Sequence, residues 1–394
     1  MTPTTTLLPF YLESVIFNLF FILMPFETLY FLSIGLAPTQ IGIIIAMWPL
    51  AMLLTDIPTG AIADIYGRKF SVIFGFLLSG LLFMAIPFTS NYYWFLVIYA
   101  ILGIANTFMT GSYDAWVIDL LKSKNLNSKI KSYFSKYHIL LNISIVFAGL
   151  MGTFLVGLLG LNVIWFCSSF AFLASSIILL FAKEKYDKQK FISIKKSFTN
   201  AFFQTKRAIL FSFKHHVLFY LTFASFILAI ACNFDEFITW TPLLKQFSLP
   251  DSWFGYLLSS SSIVGALALM FSNKLSKKLG DKKSLILITL LGALAGILIL
   301  IANNLIMLIF LFLSTYFLAN IIIPIRANYF HKFIPSKMRA TIGSIDSTLN
   351  SLGSIIFFII AGFLIDKIGA RYTIVLTSAL MLIVVIFYWR MKER

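Results

Sequence analysis

The chain has 394 residues, of which 60% are hydrophobic and only 12% charged, and it carries a net charge of +16. Soluble domains hold about 25% charged residues, so this composition excludes a water-soluble globular fold. The basic balance alone would suit nucleic acid, but the placement of the charges assigns them to a membrane surface.

A membrane-spanning helix needs about 20 apolar residues. Twelve such runs follow in chain order: 8–33, 40–62, 70–89, 92–118, 134–158, 162–182, 216–242, 251–272, 285–302, 305–330, 341–364 and 373–390. The expected fold is therefore an all-α integral membrane protein of twelve transmembrane helices, with no water-soluble domain. The first run is too long for a signal peptide and no basic segment precedes it, so it reads as a retained span. With the N-terminus placed inside, only Lys245, Lys367 and Arg371 of the 31 Lys and Arg fall on the outer side. That asymmetry obeys the positive-inside rule. It puts both termini in the cytoplasm and directs the basic charge to the anionic inner leaflet. One missed helix would scramble the alternation.

Residues 183–215 form the longest stretch between spans and divide the chain into six spans and six. The expected domains are a bundle over 1–182, a cytoplasmic linker over 183–215 and a second bundle over 216–394. In the linker Phe191, Ile194, Phe198, Phe202, Ile209 and Phe213 recur at three- and four-residue steps among many lysines. That pattern predicts an amphipathic helix on the inner membrane face, serving as a tether. The halves also carry a trace of duplication. A shift of 213 residues places Gly42 on Gly255, Gly67 on Gly280 and Lys69 on Lys282, while Lys277 replaces Asp64.

Between the second and third runs stands Gly60-Ala-Ile-Ala-Asp64-Ile-Tyr-Gly67-Arg68-Lys69. Read as a short aqueous loop, it must turn two membrane helices around at one surface. Gly60 and Gly67 would permit close approach and positive φ, and Arg68 and Lys69 mark the cytoplasmic side. The spacing G-x-x-x-D-x-x-G-R-K resembles the signature loop between helices 2 and 3 of the major facilitator superfamily. Gly111 to Asp119 is similar to the helix 4 end of bacterial exporters in that superfamily, and Pro335 to Ser344 resembles its usual entry to helix 11. The resemblance covers essentially the whole chain. It implies two pseudo-symmetric six-helix bundles and alternating access. It also implies that Asp64 caps helix 11 of the other half, that Arg68 pairs with Asp119, and that the two latch the inner side shut. Gly362-Phe-Leu-Ile-Asp366-Lys-Ile-Gly369-Ala-Arg371 repeats the spacing, but the span count places it outside, so it is not given the cytoplasmic role.

Charges near the bilayer centre cost about 3 kcal/mol or more, so they usually line a cavity or have a partner. The candidates are Glu13, Glu27, Asp114, Asp235, Glu236, Arg326 and Asp346. All but Asp346 fall on helices 1, 4, 7 and 10, which line the central cavity in the family that the chain resembles. Glu27, Asp235, Glu236, Asp114 and Arg326 are the expected substrate- and proton-binding residues. Gly60, Asp64, Gly67, Arg68, Lys69, Asp119 and Asp346 are the expected latch and gate. Asp114 and Asp346 are rival partners for Arg326. Glu13 reads equally well as a helix-end acid that reaches water by snorkelling. Trp94, Trp165, Trp240, Trp253 and Trp389 fit interfacial belts.

Two departures separate the chain from typical proton-driven drug antiporters. Tyr99 stands four residues before Gly103, where those proteins carry an arginine a few residues ahead of a glycine. The glycines of the fifth span, Gly149, Gly152 and Gly157, lack the accompanying proline. An enzyme is not expected, since His138, His215, His216 and His331 show no metalloprotease or acyltransferase spacing. No G-x-x-x-x-G-K occurs for an ATP-driven pump. A transporter fold that serves as a sensor is the other alternative. The expected function is secondary active transport: proton-coupled efflux of amphipathic, often cationic, compounds, or else uptake or export of a specific metabolite. Arg326 would favour an anionic metabolite if it faced the cavity unpaired. The expected partners are a small-molecule substrate, protons and the lipid bilayer. No cofactor, metal or nucleic acid is expected, and a monomer is.

Overall fold

The structure is a computed structural model that describes residues 3–184, 215–231, 237–334 and 339–391. All regular structure among these residues is helical. In lipid every backbone polar group must be satisfied internally, and helices do this within one segment.

The helices run α1 (Pro3–Phe20), α2 (Glu27–Ser33), α3 (Pro38–Tyr66), α4 (Arg68–Ala85), α5 (Tyr92–Ser123), α6 (Ile130–Leu159), α7 (Val163–Leu180), α8 (His216–Ala231), α9 (Phe237–Gln246), α10 (Phe254–Leu279), α11 (Asp281–Ile297), α12 (Leu305–Lys332) and α13 (Arg339–Arg390). Nine helices among the described residues are long and apolar enough to cross a membrane. The last of them is broken at Gly369 (φ 84°, ψ 160°), so it holds two spans. The first span is interrupted between α1 and α2, around Pro25, which has no amide hydrogen to continue the helix. The seventh is described as α8 and α9, on either side of residues 232–236, which lie outside the described residues. Counted this way the elements are consistent with twelve spans. The linker helix expected over 183–215 falls almost wholly outside the described residues.

Turns follow local chemistry. Asn91 accepts the Tyr93 amide at 2.9 Å and Asn304 accepts the Met307 amide at 2.8 Å, each as an N-cap. Gly67 (φ 97°) and Gly280 (φ 78°) supply positive-φ corners between α3 and α4 and between α10 and α11. Gly67 therefore acts as expected, whereas Gly60 does not. α3 continues through residues 60–66, so the supposed loop shrinks to Gly67 alone, and a Cβ at Gly60 would meet nothing.

The described residues gather into two compact units. Unit 1 takes in the chain up to Gly35, Met47 through Glu184, and Pro250–Ser259. Unit 2 takes in Leu36–Ala46, the described residues from His215 to Leu249, and those from Ser260 on.

In unit 1, α1 packs on α6 and α7, and α4 on α5 and α7. Its centre is aromatic: Phe172 meets Phe17 (ring centroids 4.9 Å), Phe21 (5.5 Å), Phe76 (5.7 Å) and Phe83 (5.2 Å). Small residues let helices close in, as Ser71 Oγ reaches the Phe108 carbonyl and Ser169 Oγ the Gly80 carbonyl, each at 2.8 Å. In unit 2, α13 packs on α8, α9 and α11 around Leu218, Leu221, Ile288, Ile325 and Tyr388. Trp94, Trp253 and Trp389 are exposed, as a belt requires. Trp165 and Trp240 are instead buried in the units, where Trp165 packs on Tyr30 and Trp240 on Phe312. Rings that large stabilise more inside a helix bundle than at its edge.

Candidate functional site

The site residues of unit 1 begin at Gly67. Directly after it, Arg68 Nη1 lies 2.6 Å from Asp119 Oδ2, near the end of α5. The Lys69 ammonium donates to the carbonyls of Leu180 (2.7 Å) and Ala182 (2.8 Å), at the end of α7. A cation there meets the negative end of the helix dipole. The Lys69 amide in turn donates to Glu184 Oε1 at 2.9 Å, which gives the start of α4 its anion. Asp64 sits exposed on the last turn of α3.

Unit 2 repeats this corner with altered chemistry. Asp281 follows Gly280 and pairs with Lys332 at the end of α12; Ser276 also donates to it. Lys282 donates to the Met391 carbonyl, just past α13. The shift from Arg68 to Asp281 and from Asp119 to Lys332 is 213 in both cases, the same shift that relates the two glycines. The ion pair has been kept and its signs exchanged.

Asp366, in the look-alike motif, accepts the Thr39 amide at 2.8 Å and also the Thr39 hydroxyl, so it caps the start of α3 within unit 2. Arg371 donates to the Ala302 carbonyl at 2.7 Å and lies over the Phe247 ring at 5.5 Å. Thr39 and Asp366 thus meet within unit 2.

Among the intramembrane charges, Glu27 stands in the first turn of α2, where a carboxylate suits a helix N-terminus. It accepts a hydrogen bond from Tyr99, the residue noted four positions before Gly103. Arg326 and Asp346 lie 3.5 Å apart within unit 2, and Asn350 donates to the same Asp346 oxygen at 3.2 Å. Arg326 therefore pairs, which removes the condition that favoured an anionic metabolite. Asp114 is exposed on α5 within electrostatic reach of His138 on α6. Asp235 and Glu236 fall outside the described residues.

A cavity of about 250 Å³ opens within unit 2. Trp240, Tyr316 and Phe357 give it aromatic walls, and Asn320, Asn350 and Arg326 give it polar ones. Drug-sized sites are commonly mostly apolar with a few placed polar groups.

One residue that the sequence left undecided is Glu13. It is only 2% exposed and does not snorkel. Tyr113 donates to it across α1 and α5. Tyr113 stands beside Asp114 in the sequence, yet nothing in the spacing links it to a residue 100 positions earlier.

A helical membrane protein with a corner motif repeated in both halves and a cavity inside one unit has what a transporter needs, and the sequence relatives are transporters rather than enzymes. The chain belongs to the major facilitator superfamily, whose model matches residues 11–254 and again 243–394. It is 23% identical over 383 residues to the uncharacterized MFS-type transporter YxaM of Bacillus subtilis (strain 168), covering 93% of this chain and 91% of that one. The crystal structure of the nucleoside transporter NupG superposes with a TM-score of 0.80 at 13% identity, over 98% of this chain and 99% of that one. A bacterial homolog of the human lysosomal transporter Spinster, solved in an inward-facing and occupied conformation, gives 0.74 at 14% identity, over 99% and 97%. At such identities the structural likeness speaks for the fold.

Proposed function

We propose that this secondary transporter exports a small amphipathic molecule across the cell membrane in exchange for protons. Both termini stand in the cytoplasm. The observation that carries the reading is the unit 2 cavity, in which aromatic walls and two amides face a site whose one arginine is already ion-paired. Such a lining suits a molecule with an apolar ring system and a few hydrogen-bonding groups. A net anion would have to compete with Asp346 for Arg326. Glu27, and Asp235 or Glu236, would carry the proton. A carboxylate in an occluded cavity can load facing one side and release facing the other. Asp64, Arg68 and Asp119 would latch the inner side when it is closed.

Uptake or export of a specific metabolite is the second reading. Asn320 and Asn350 favour it, because side-chain amides read hydrogen-bonding patterns that a drug exporter would ignore. The nucleoside transporter among the structural neighbours makes neutral ring compounds the first metabolites to try.

A thermal-shift screen of the purified protein, with cations, neutral ring compounds and anions tested separately, separates these readings. Stabilisation by many unrelated amphipathic cations supports export, whereas one chemical series supports the metabolite. Flux of the hit into proteoliposomes under an imposed pH gradient then tests coupling. Flux that ignores the gradient would remove the proton from the mechanism.

A further inference from the structure

We propose that Glu13 is a proton-binding site of this transporter, reached from the aqueous side along a line of tyrosines. The proposal rests on the proton-coupled reading and adds a residue to which that reading gave no role.

The first observation is burial. Glu13 lies in the middle of α1 and is 2% exposed. Its contact given by the structure is with a phenol, not a cation: Tyr113 donates to Oε2. An unpaired carboxylate inside a membrane protein is costly, and such groups mark proton relays more often than packing.

The second observation is what surrounds it. Tyr113 packs at a tilt on Tyr137 (centroids 6.2 Å), and Tyr137 on Tyr133 (5.9 Å). The Ser14 and Tyr133 hydroxyls are fully buried, and Tyr137 is close enough to Ser14, and Tyr133 to Tyr113, for their hydroxyls to interact. A cluster of buried hydroxyls beside a carboxylate is a polar network in a setting of low dielectric.

The third observation is a way out. Tyr137 packs edge-on to His138 at 5.7 Å. His138 and Asp114 are both exposed. Ring contacts therefore lead from buried Glu13 through Tyr113 and Tyr137 to exposed His138, and the proposed proton path follows that line. Each tyrosine can accept one proton as it passes on its own, and so ends neutral.

The charges around Glu13 leave this role open. α6 presents His138 and the tyrosines, and α5 presents Tyr113 and Asp114. α7, also packed on α1, carries no charged residue. Lys124 is engaged two turns away, on the Thr6 hydroxyl. On the α4 side, Arg68 and Lys69 are held by Asp119 and by the end of α7.

Infrared spectroscopy of the full chain in phosphatidylethanolamine–phosphatidylglycerol vesicles tests the site without a known substrate. A protonated-carboxyl band should appear and vanish as pH is cycled. The part of it that is lost in Glu13→Gln should be kept in Glu27→Gln and moved in frequency in Tyr113→Phe, which removes the phenol's hydrogen bond. Glutamine keeps an acceptor for Tyr113, and a normal melting temperature of Glu13→Gln would confirm folding. A Glu13→Gln spectrum that titrates just as the native one does would overturn the assignment. So would a Glu13 band that never titrates, since the acid would then be a fixed structural neutral. If the band behaves as stated but native flux ignores a pH gradient, the site stands and the coupled-transport reading falls.

Discussion

Arg68–Asp119 in unit 1 and Asp281–Lys332 in unit 2 occupy equivalent corners with opposite signs. Both follow a positive-φ glycine, and both bind the start of one helix to the end of another. What differs is which partner is buried. In unit 1 the side chains of Arg68 and Asp119 are 26% and 51% exposed. In unit 2 the carboxylate of Asp281 is only 7% exposed, and its lysine is 62% exposed. The acid has also changed place. Unit 1 brings Glu184 from beyond α7 to the amide of Lys69, whereas unit 2 places Asp281 in the first turn of α11 itself. A duplicated corner has thus kept its geometry while the charges were redistributed around it. The more self-contained unit 2 version suits a fixed corner. The exposed unit 1 version suits one that must be remade during a cycle.

The glycines offer the largest break. Gly67 (φ 97°, ψ 149°) and Gly280 (φ 78°, ψ 158°) occupy a region essentially reserved for glycine. Alanine at either should cost about 1–3 kcal/mol, read as a fall in melting temperature in detergent. Gly60→Ala should do the reverse. Gly60 is helical with open space around it, and alanine there should gain about 1 kcal/mol. Equal losses at Gly60 and Gly67 would mean that the corner is not where the structure puts it.

Removing one cation from each corner sharpens the difference in burial. Lys332→Ala leaves a buried carboxylate with the Ser276 hydroxyl as its donor among the described residues, at a cost of about 1–3 kcal/mol. Arg68→Ala leaves a half-exposed carboxylate that water can serve, and should cost about 1 kcal/mol or less in stability. Transport should rank them the other way, because Arg68 belongs to the proposed latch and Lys332 does not. Parallel melting and flux measurements of the two variants decide between a fixed and a working pair.

How much of this was legible in the sequence depended on the range of the interaction. The spans and the Gly67 corner rest on local hydropathy and on a glycine between charged residues, and these were readable. The Arg68–Asp119 pair came from the resemblance of two motifs, since no spacing rule joins residues so far apart. The matching unit 2 pair stayed hidden because duplication shows up as identity, and Lys69 on Lys282 is identity while Arg68 on Asp281 is not. Glu13 was ambiguous for a different reason. Its burial depends on tyrosines from α5 and α6, which pattern along α1 cannot reveal. Trp165 and Trp240 misled for the same cause, as position near a span end predicts a belt only until tertiary packing is known. The helical course of residues 60–66 was missed because a charged, glycine-containing stretch reads as loop even where a helix runs on past the lipid.

Exchanging the signs inside a unit tests the equivalence more finely. Arg68→Asp with Asp119→Arg gives unit 1 the polarity of unit 2, and each single change sets like charges face to face. The double variant should recover most of the stability lost by either single one, with a coupling of about 0.5–3 kcal/mol. Arginine suits the exchanged position because its fork can still meet a carboxylate at an exposed site. No recovery would show that the pair's polarity is tied to its surroundings, chiefly to Glu184 at the adjacent helix start.

The smallest expected effect is salt. An exposed pair is screened within about 10 Å at 0.1 M ionic strength, and a surface ion pair contributes only about 0.2–1 kcal/mol to begin with. Asp119→Asn keeps the shape and removes the charge, so its destabilisation should be detectable at low salt and fade as salt rises. Asp281→Asn should keep most of its penalty across the same range, because the side chain is shielded from the ions that would screen it and Lys332 loses its partner whatever the salt. Melting curves of both variants against ionic strength therefore compare the two corners by accessibility alone. Parallel salt dependence would mean that the two acids are equally accessible, and the contrast in burial on which the fixed and working assignments rest would be lost.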